Sequence, residues 1–133
     1  MKDTRDKPAN GIADASFSLR ARLRSFGYAW QGLLAFFKGQ HNAIVHLVAT
    51  VVLVILCLLV RPGATELMFL AVVTGMVWTA ELLNSAIEKL CDLVSPGYNP
   101  KVKYIKDVAA AAVLVSAIIA VVVALIIFIP KFL

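Results

Sequence analysis

Charge is scarce in this sequence. Asp, Glu, Lys and Arg make up 16% of its 133 residues, against about 25% in ordinary soluble domains. Cysteine is nearly absent too. Cys57 and Cys91 stand alone in apolar surroundings, which excludes a disulfide scaffold and a thiolate metal knuckle and leaves packing roles for both. The soluble nucleotide motifs are missing. Gly27 and Gly32 have the P-loop glycine spacing, but Leu33-Leu34 occupy the place of the required Lys-Ser/Thr. No protein-kinase glycine loop, His-Arg-Asp motif or Ser/His/Asp order is present. His41 and His46 are five apart, where a helical metal pair needs four. Residues 1–15 are polar and carry none of the apolar core a signal peptide requires, so they read as a flexible cytoplasmic tail.

Apolar residues are what the chain has in abundance, at 61%, with a mean hydropathy of +0.87. A soluble domain of this size cannot hide so much carbon, because small folds keep a large share of their surface exposed. The chain therefore reads as an all-α integral membrane protein with a single domain over 16–133. From Phe17 to about Lys38, Leu23, Phe26, Trp30, Leu34 and Phe37 recur at helical spacing, opposite Arg20, Arg24 and Gln31. That pattern predicts an amphipathic helix lying in the lipid interface. The first span covers about 43–60 and is interrupted only by His46 and Thr50; Arg61-Pro62-Gly63 makes a turn. The second covers about 65–94, apolar to Ala80 and then polar on one side. The stretch from Ser95 to Pro100 reads as a loop, and the third span covers about 104–130, its apolar part from Val108 to Ile129 being about 33 Å long.

The net charge of +5 is distributed for topology rather than for nucleic acid. Lys2, Arg5, Lys7, Arg20, Arg22, Arg24 and Lys38 precede the first span, and Lys89, Lys101, Lys103 and Lys106 flank the second loop. Both groups fall on one side of a three-span chain. This predicts a multi-pass membrane protein with a cytoplasmic N-terminus, and no nucleic-acid partner.

The chemistry concentrates in Glu81-Leu-Leu-Asn84-Ser85-Ala-Ile-Glu88-Lys89-Leu-Cys-Asp92. On a helix, positions 81, 84, 85, 88 and 92 share a face. A solvated helix end is the plainer account, but such a face normally mixes signs, and here carboxylates align beside an amide. Ionisable residues at a span are costly and functional by default. Carboxylate and amide oxygens suit Mg²⁺, and a carboxylate in a low-dielectric setting can act as a base. Lys106 and Asp107 enter the third span opposite, where Lys106 has a choice between phosphate and Asp92.

The string Glu81-x-x-Asn84-Ser85-Ala-Ile-Glu88-x-x-x-Asp92 resembles the prokaryotic diacylglycerol kinase family, which includes undecaprenol kinases. So do Lys106-Asp107-x-Ala-x-Ala-Ala-Val-Leu and the upstream Gly27-Tyr28-Ala-Trp30-x-Gly32. The resemblance covers about 20–125. It implies a homotrimeric helical bundle of three-span subunits, each with an N-terminal surface helix, in a bacterial cytoplasmic (inner) membrane. It also implies transfer of the ATP γ-phosphate, with Mg²⁺, to diacylglycerol to give phosphatidic acid, with undecaprenol as the alternative acceptor. By the same resemblance Glu81 is the general base, and Asn84, Ser85 and Trp30 join it around the lipid substrate. Glu88 and Gln40 take the metal, and Tyr28, Gln40, Glu88, Asp92, Lys106 and Asp107 line the nucleotide site.

Two departures stand out. Gln40 occupies the place of a usual Glu, so a metal ligand there brings no negative charge. Ala109-Ala110-Ala111 replaces a segment where relatives often carry Gly or Ser, narrowing the room near the nucleotide. The Asn42/His46 pattern and the Pro-containing loop at 96–100 look more like the undecaprenol-type branch. A reading of a different class is an ion-coupled transporter or channel subunit using Glu81 as a cation site. Such a protein wants its acids near the bilayer midplane, and here they lie at one end.

Overall fold

The computed structural model describes residues 18–133, and the tail expected at 1–15 lies outside them. Four helices follow in order: α1 (Leu19–Gly39), α2 (His41–Val60), α3 (Ala64–Val94) and α4 (Pro100–Phe132). Two units pack separately, one ending at Leu33 and the other running Leu34–Leu133. In the first, Leu23, Phe26 and Trp30 are exposed.

In the second unit α3 and α4 pair along their length and α2 packs against α3. All three are long and apolar enough to cross a membrane. Their outer surfaces agree with that. Leu58, Leu59 and Ile126 are each at least two-thirds exposed, an arrangement that water penalises and lipid does not. The core is confined to the seam between helices. Leu70, Ile127 and Phe128 are buried together against Leu53, Leu56, Cys57, Val60, Val123 and Ala124.

Helix boundaries follow local chemistry. Gln40 is extended (φ −126°, ψ 115°) and separates α1 from α2. Arg61 ends α2 in the left-handed region (φ 54°), its N–H donating to the Cys57 carbonyl. Pro62 follows, and Gly63 then caps α3, its N–H donating to Glu66 Oε2 at 2.7 Å. The same Glu66 oxygen meets Lys131 Nζ at 2.9 Å, tying the start of α3 to the end of α4. At the other end the sequence expectation needs correcting. The loop stops at Asn99, and the last helix begins at Pro100 rather than near 104. Proline at a first helical position loses no hydrogen bond and has its φ already set. Asn99 completes the start, its side-chain oxygen accepting from Lys101 N–H at 2.9 Å.

The helices differ in length: α2 has 20 residues, α3 31 and α4 33. At ~1.5 Å per residue these are about 30, 46 and 50 Å, against a hydrocarbon core of ~30 Å. The 61–63 turn joins α2 to α3 at one end, so the surplus of α3 and α4 projects past the start of α2 at the other. That projection carries Asp92, Lys103, Lys106 and Asp107.

Candidate phosphoryl-transfer site on the third helix

The acidic face predicted from spacing forms on α3, but it is graded. Glu81 is 1% exposed, Asn84 3% and Ser85 7%. Glu88 is half-buried and Asp92 exposed. Burying a carboxylate, an amide and a hydroxyl in succession is costly unless each is paired. Here they are largely unpaired. Glu81 Oε2, Asn84 Oδ1 and Ser85 Oγ are buried and have no hydrogen-bond partner among the described residues. Asn84 uses its donor side, giving Nδ2–H to Glu88 Oε1 at 3.3 Å. The arrangement is thus one acid with a free oxygen, one free amide oxygen and one hydroxyl, stacked over a single helical turn. Such a stack can take a proton and hold a hydroxyl-bearing molecule.

The nearest charged-capable group to Glu81 comes from α2, not from the acidic string. His46 Nε2 lies 3.8 Å from Glu81 Oε2. Around the imidazole, Trp78 stands edge-on at 6.2 Å between ring centres. Trp78 Nε1 donates to Thr50 Oγ1 at 3.1 Å, and the Thr50 hydroxyl donates to the His46 carbonyl at 2.7 Å. On α2, His46 and Thr50 are one turn apart; on α3, Trp78 and Glu81 are one turn apart. The two pairs make a cross-helix ladder that fixes the register of α2 on α3. Phe36 and Phe37 also pack against Trp78, at 6.3 and 5.6 Å between ring centres.

At the projecting end, Lys106 Nζ pairs with Asp92 Oδ1, joining α4 to α3. Of the two partners open to Lys106, this structure has it on Asp92. Asp107 turns instead to Lys103 on its own helix. Gln40, Tyr28 and Trp30 complete the expected set. Gln40 is half-buried at the α1–α2 break with no side-chain capping bond. Tyr28 and Trp30 belong to the unit ending at Leu33 and are 62% and 63% exposed. Among the described residues no three His, Cys, Asp or Glu side chains gather as a metal-binding group. An oxygen-seeking cation would depend on Glu88 and on oxygens brought by its own ligand, the usual condition of Mg²⁺ on phosphates.

His46, Thr50 and Trp78 are the site residues that the acidic spacing did not single out. Their signal was in the sequence: His46 and Thr50 are the only polar residues of their span.

A family model described as prokaryotic diacylglycerol kinase matches residues 27–128. An undecaprenol kinase of Bacillus subtilis is 35% identical over 109 residues, covering 82% of this chain and 89% of that protein. A diacylglycerol kinase of Synechocystis is 39% identical over 102 residues, covering 76% of this chain and 58% of that protein. A diacylglycerol kinase of Escherichia coli is 32% identical over 101 residues, covering 75% of this chain and 82% of that protein.

Proposed function

The chain belongs to the prokaryotic diacylglycerol kinase family, and from that premise we propose that it transfers the γ-phosphate of ATP to the primary hydroxyl of a membrane lipid. Diacylglycerol, giving phosphatidic acid, and undecaprenol, giving undecaprenyl phosphate, are the two acceptors that the relatives' names carry. Membership of a kinase family displaces the ion-coupled transporter reading.

The observation that carries the reading is the buried, unpartnered oxygen of Glu81 one turn from the unpartnered groups of Asn84 and Ser85. In the proposed mechanism the lipid hydroxyl donates its proton to Glu81 as its oxygen attacks the γ-phosphorus. The bond to the β–γ bridging oxygen breaks, and ADP leaves. Asn84 and Ser85 orient the hydroxyl. Phosphoryl transfer asks for positioning and charge neutralisation more than covalent chemistry, and the helix supplies both by depth. Glu81 and Glu88 lie about 10 Å apart along the axis, which leaves room between them for the attacking hydroxyl and the transferring phosphoryl group. Glu88, with the Gln40 amide oxygen, would hold Mg²⁺ that arrives on the phosphates. Lys106, held by Asp92, meets the nucleotide, with Asp107 and Tyr28 at its edge and Trp30 beside the lipid.

The protein is placed by this reading in a bacterial inner membrane, its N-terminus and the 95–99 loop cytoplasmic, where ATP and lipid hydroxyls meet. The reading includes a closed trimer, as the family resemblance implies; Glu81, Asn84 and Ser85 are already buried within one chain, so the polar stripe itself does not call for a partner. Ala109, Ala112, Ser116 and Ala117 on α4 permit close helix approach. The test is a purified-protein assay with ATP, Mg²⁺ and each lipid. Label from the ATP γ-position should appear in extracted lipid and should vanish with Glu81→Gln. No labelled lipid with either acceptor refutes the proposal.

A further inference from the structure

A general base is spent after one turnover unless its proton leaves. At the proposed base, direct contact with solvent does not provide that exit. Glu81 is 1% exposed, and its Oε2 is buried without a hydrogen-bond partner. The titratable groups near enough to act on its charge are His46 on α2 and Glu88 on its own helix, and α4 contributes none. Glu88 is two turns away, about 10 Å along the axis, on the side where the phosphates are proposed to bind. His46 remains. Its Nε2 lies 3.8 Å from Glu81 Oε2, and about 1 Å of side-chain movement closes that to a hydrogen bond.

The surroundings hold His46 in place and leave its ring free. Its carbonyl accepts from the Thr50 hydroxyl, which in turn accepts from the Trp78 indole N–H, and the Trp78 ring stands edge-on to the imidazole. The ring nitrogens themselves make no hydrogen bond among the described residues. A cleft of about 170 Å³ adjoins the ring, and the α4 residues lining it are Ala117, Ala120, Val121 and Ala124, none of them titratable. Glu81 is thus the acid that faces His46. The two partners differ in access, with side chains 17% exposed for His46 and 1% for Glu81. His46 is five residues from the start of α2, about 8 Å, whereas Glu81 is thirteen residues from the end of α3, about 20 Å. The imidazole is the side chain on the shorter route out.

We propose that His46 takes the proton from Glu81 after each phosphoryl transfer and passes it to water at the start of α2, restoring the base. The step uses the tautomer with its ring proton on Nδ1. The O–H bond on the Glu81 carboxyl breaks, an N–H bond forms at Nε2, and a neutral acid beside a neutral imidazole becomes a carboxylate beside an imidazolium. Opposite charges that close attract strongly where the dielectric is low. The imidazolium then gives the proton to water, and both groups return to their starting state. Imidazole suits the task because it gains and loses a proton readily near neutral pH. This proposal rests on the lipid-kinase reading with Glu81 as base.

The test is rapid-quench kinetics on the full chain in lipid nanodiscs, with ATP, Mg²⁺ and whichever of the two lipids it phosphorylates. In His46→Gln the first turnover should match the parent within threefold, giving a burst of one phosphorylated lipid per site, and later turnovers should be at least tenfold slower. In the steady state kcat and KM should fall together, with kcat/KM within threefold of the parent, because the slowed step follows the transfer. His46→Ala opens the base to the adjoining cleft, so added imidazole should raise its kcat at least threefold and do nothing for Glu81→Gln. The parent should show the same split on passing from pH 7.5 to 5.5, where a protonated imidazole cannot accept: later turnovers slow at least threefold, the first less than twofold. This arm decides alone if the variants lose their oligomer size. A first turnover slowed as much as the later ones, in His46→Gln or in the parent at pH 5.5, overturns the proposal and leaves the kinase reading standing. So does an unchanged kcat in His46→Gln, or the absence of imidazole rescue in a folded His46→Ala. No phosphorylated lipid from the parent refutes the kinase reading, and this proposal falls with it.

Discussion

Replacing Lys106 by Ala separates what this lysine does for the fold from what it does for ATP. Its ammonium pairs with Asp92, but the pair is open to solvent, with side-chain exposures of 35% and 58%. Exposed pairs contribute about 0–1 kcal/mol, so the variant should melt in detergent within a few degrees of the parent. A charge-assisted bond to a phosphate oxygen is worth about 1.5–3 kcal/mol. ATP must draw the ammonium from Asp92, which takes back up to ~1 kcal/mol. The net is about 1–2 kcal/mol, or roughly a five- to thirtyfold rise in KM for ATP at ~1.4 kcal/mol per decade. The assay is label transfer to lipid at graded ATP, with saturating acceptor and Mg²⁺. Asp92→Asn serves as the companion. Since ATP no longer has to draw the lysine from Asp92, its loss should lower KM, by at most about fivefold. An unchanged KM in Lys106→Ala would remove the lysine from the nucleotide site. Equal defects in the two variants would refute the division of labour between them.

Three further outcomes are expected. Glu81→Gln should cut transfer by about 10²–10⁴, the usual contribution of a general base, without lowering the melting temperature, because the amide fills the same space and removes a buried carboxylate whose Oε2 has no hydrogen-bond partner; turnover within threefold of the parent would dismiss Glu81 as base. Glu88→Ala should raise the Mg²⁺ needed for half-maximal rate, and Gln40→Glu should lower it by restoring a negative ligand; identical Mg²⁺ titrations for both would put the metal elsewhere. Subunits carrying Glu81→Gln, mixed with subunits carrying Asp107→Asn, should recover part of the activity each lacks if the sites are composite; zero recovery, with mixing confirmed by crosslinking, would assign both residues to the same chain's site.

The three span-length helices were legible in the sequence because unbroken apolar runs have no other stable use. The Glu81-to-Asp92 face was legible because helical spacing alone puts those side chains in register. Residues paired between helices were harder. That His46 meets Glu81, and that Trp78 bonds Thr50, depends on how α2 slides along α3, and no local pattern encodes that offset. The Lys106 pairing was one of two partners open to it, since Asp92 and Lys106 flank a short loop. Pro100 shows the opposite failure. Pro-Gly-Tyr-Asn-Pro reads as continuous loop, yet Asn and Pro in that order also make a good helix start, and the apolar helix that follows selects the second reading.

The clamp at the far end of α3 has a bearing on the membrane itself. Glu66 is held both by the Gly63 N–H and by Lys131, so the charged limit of the helix is pinned at one face of the bilayer. From there α3 runs without a proline to Glu81, about 22 Å away, and to Asp92, a further ~16 Å. It is a ruler with one end fixed. A thicker bilayer draws Glu81 deeper below the opposite surface, and a thinner one brings it up toward the headgroups. Tilting compensates at a cost of fractions of a kcal/mol per ångström of mismatch. On the proposed mechanism, the height at which a lipid hydroxyl must present itself is set from the other side of the membrane, and turnover should vary with bilayer thickness.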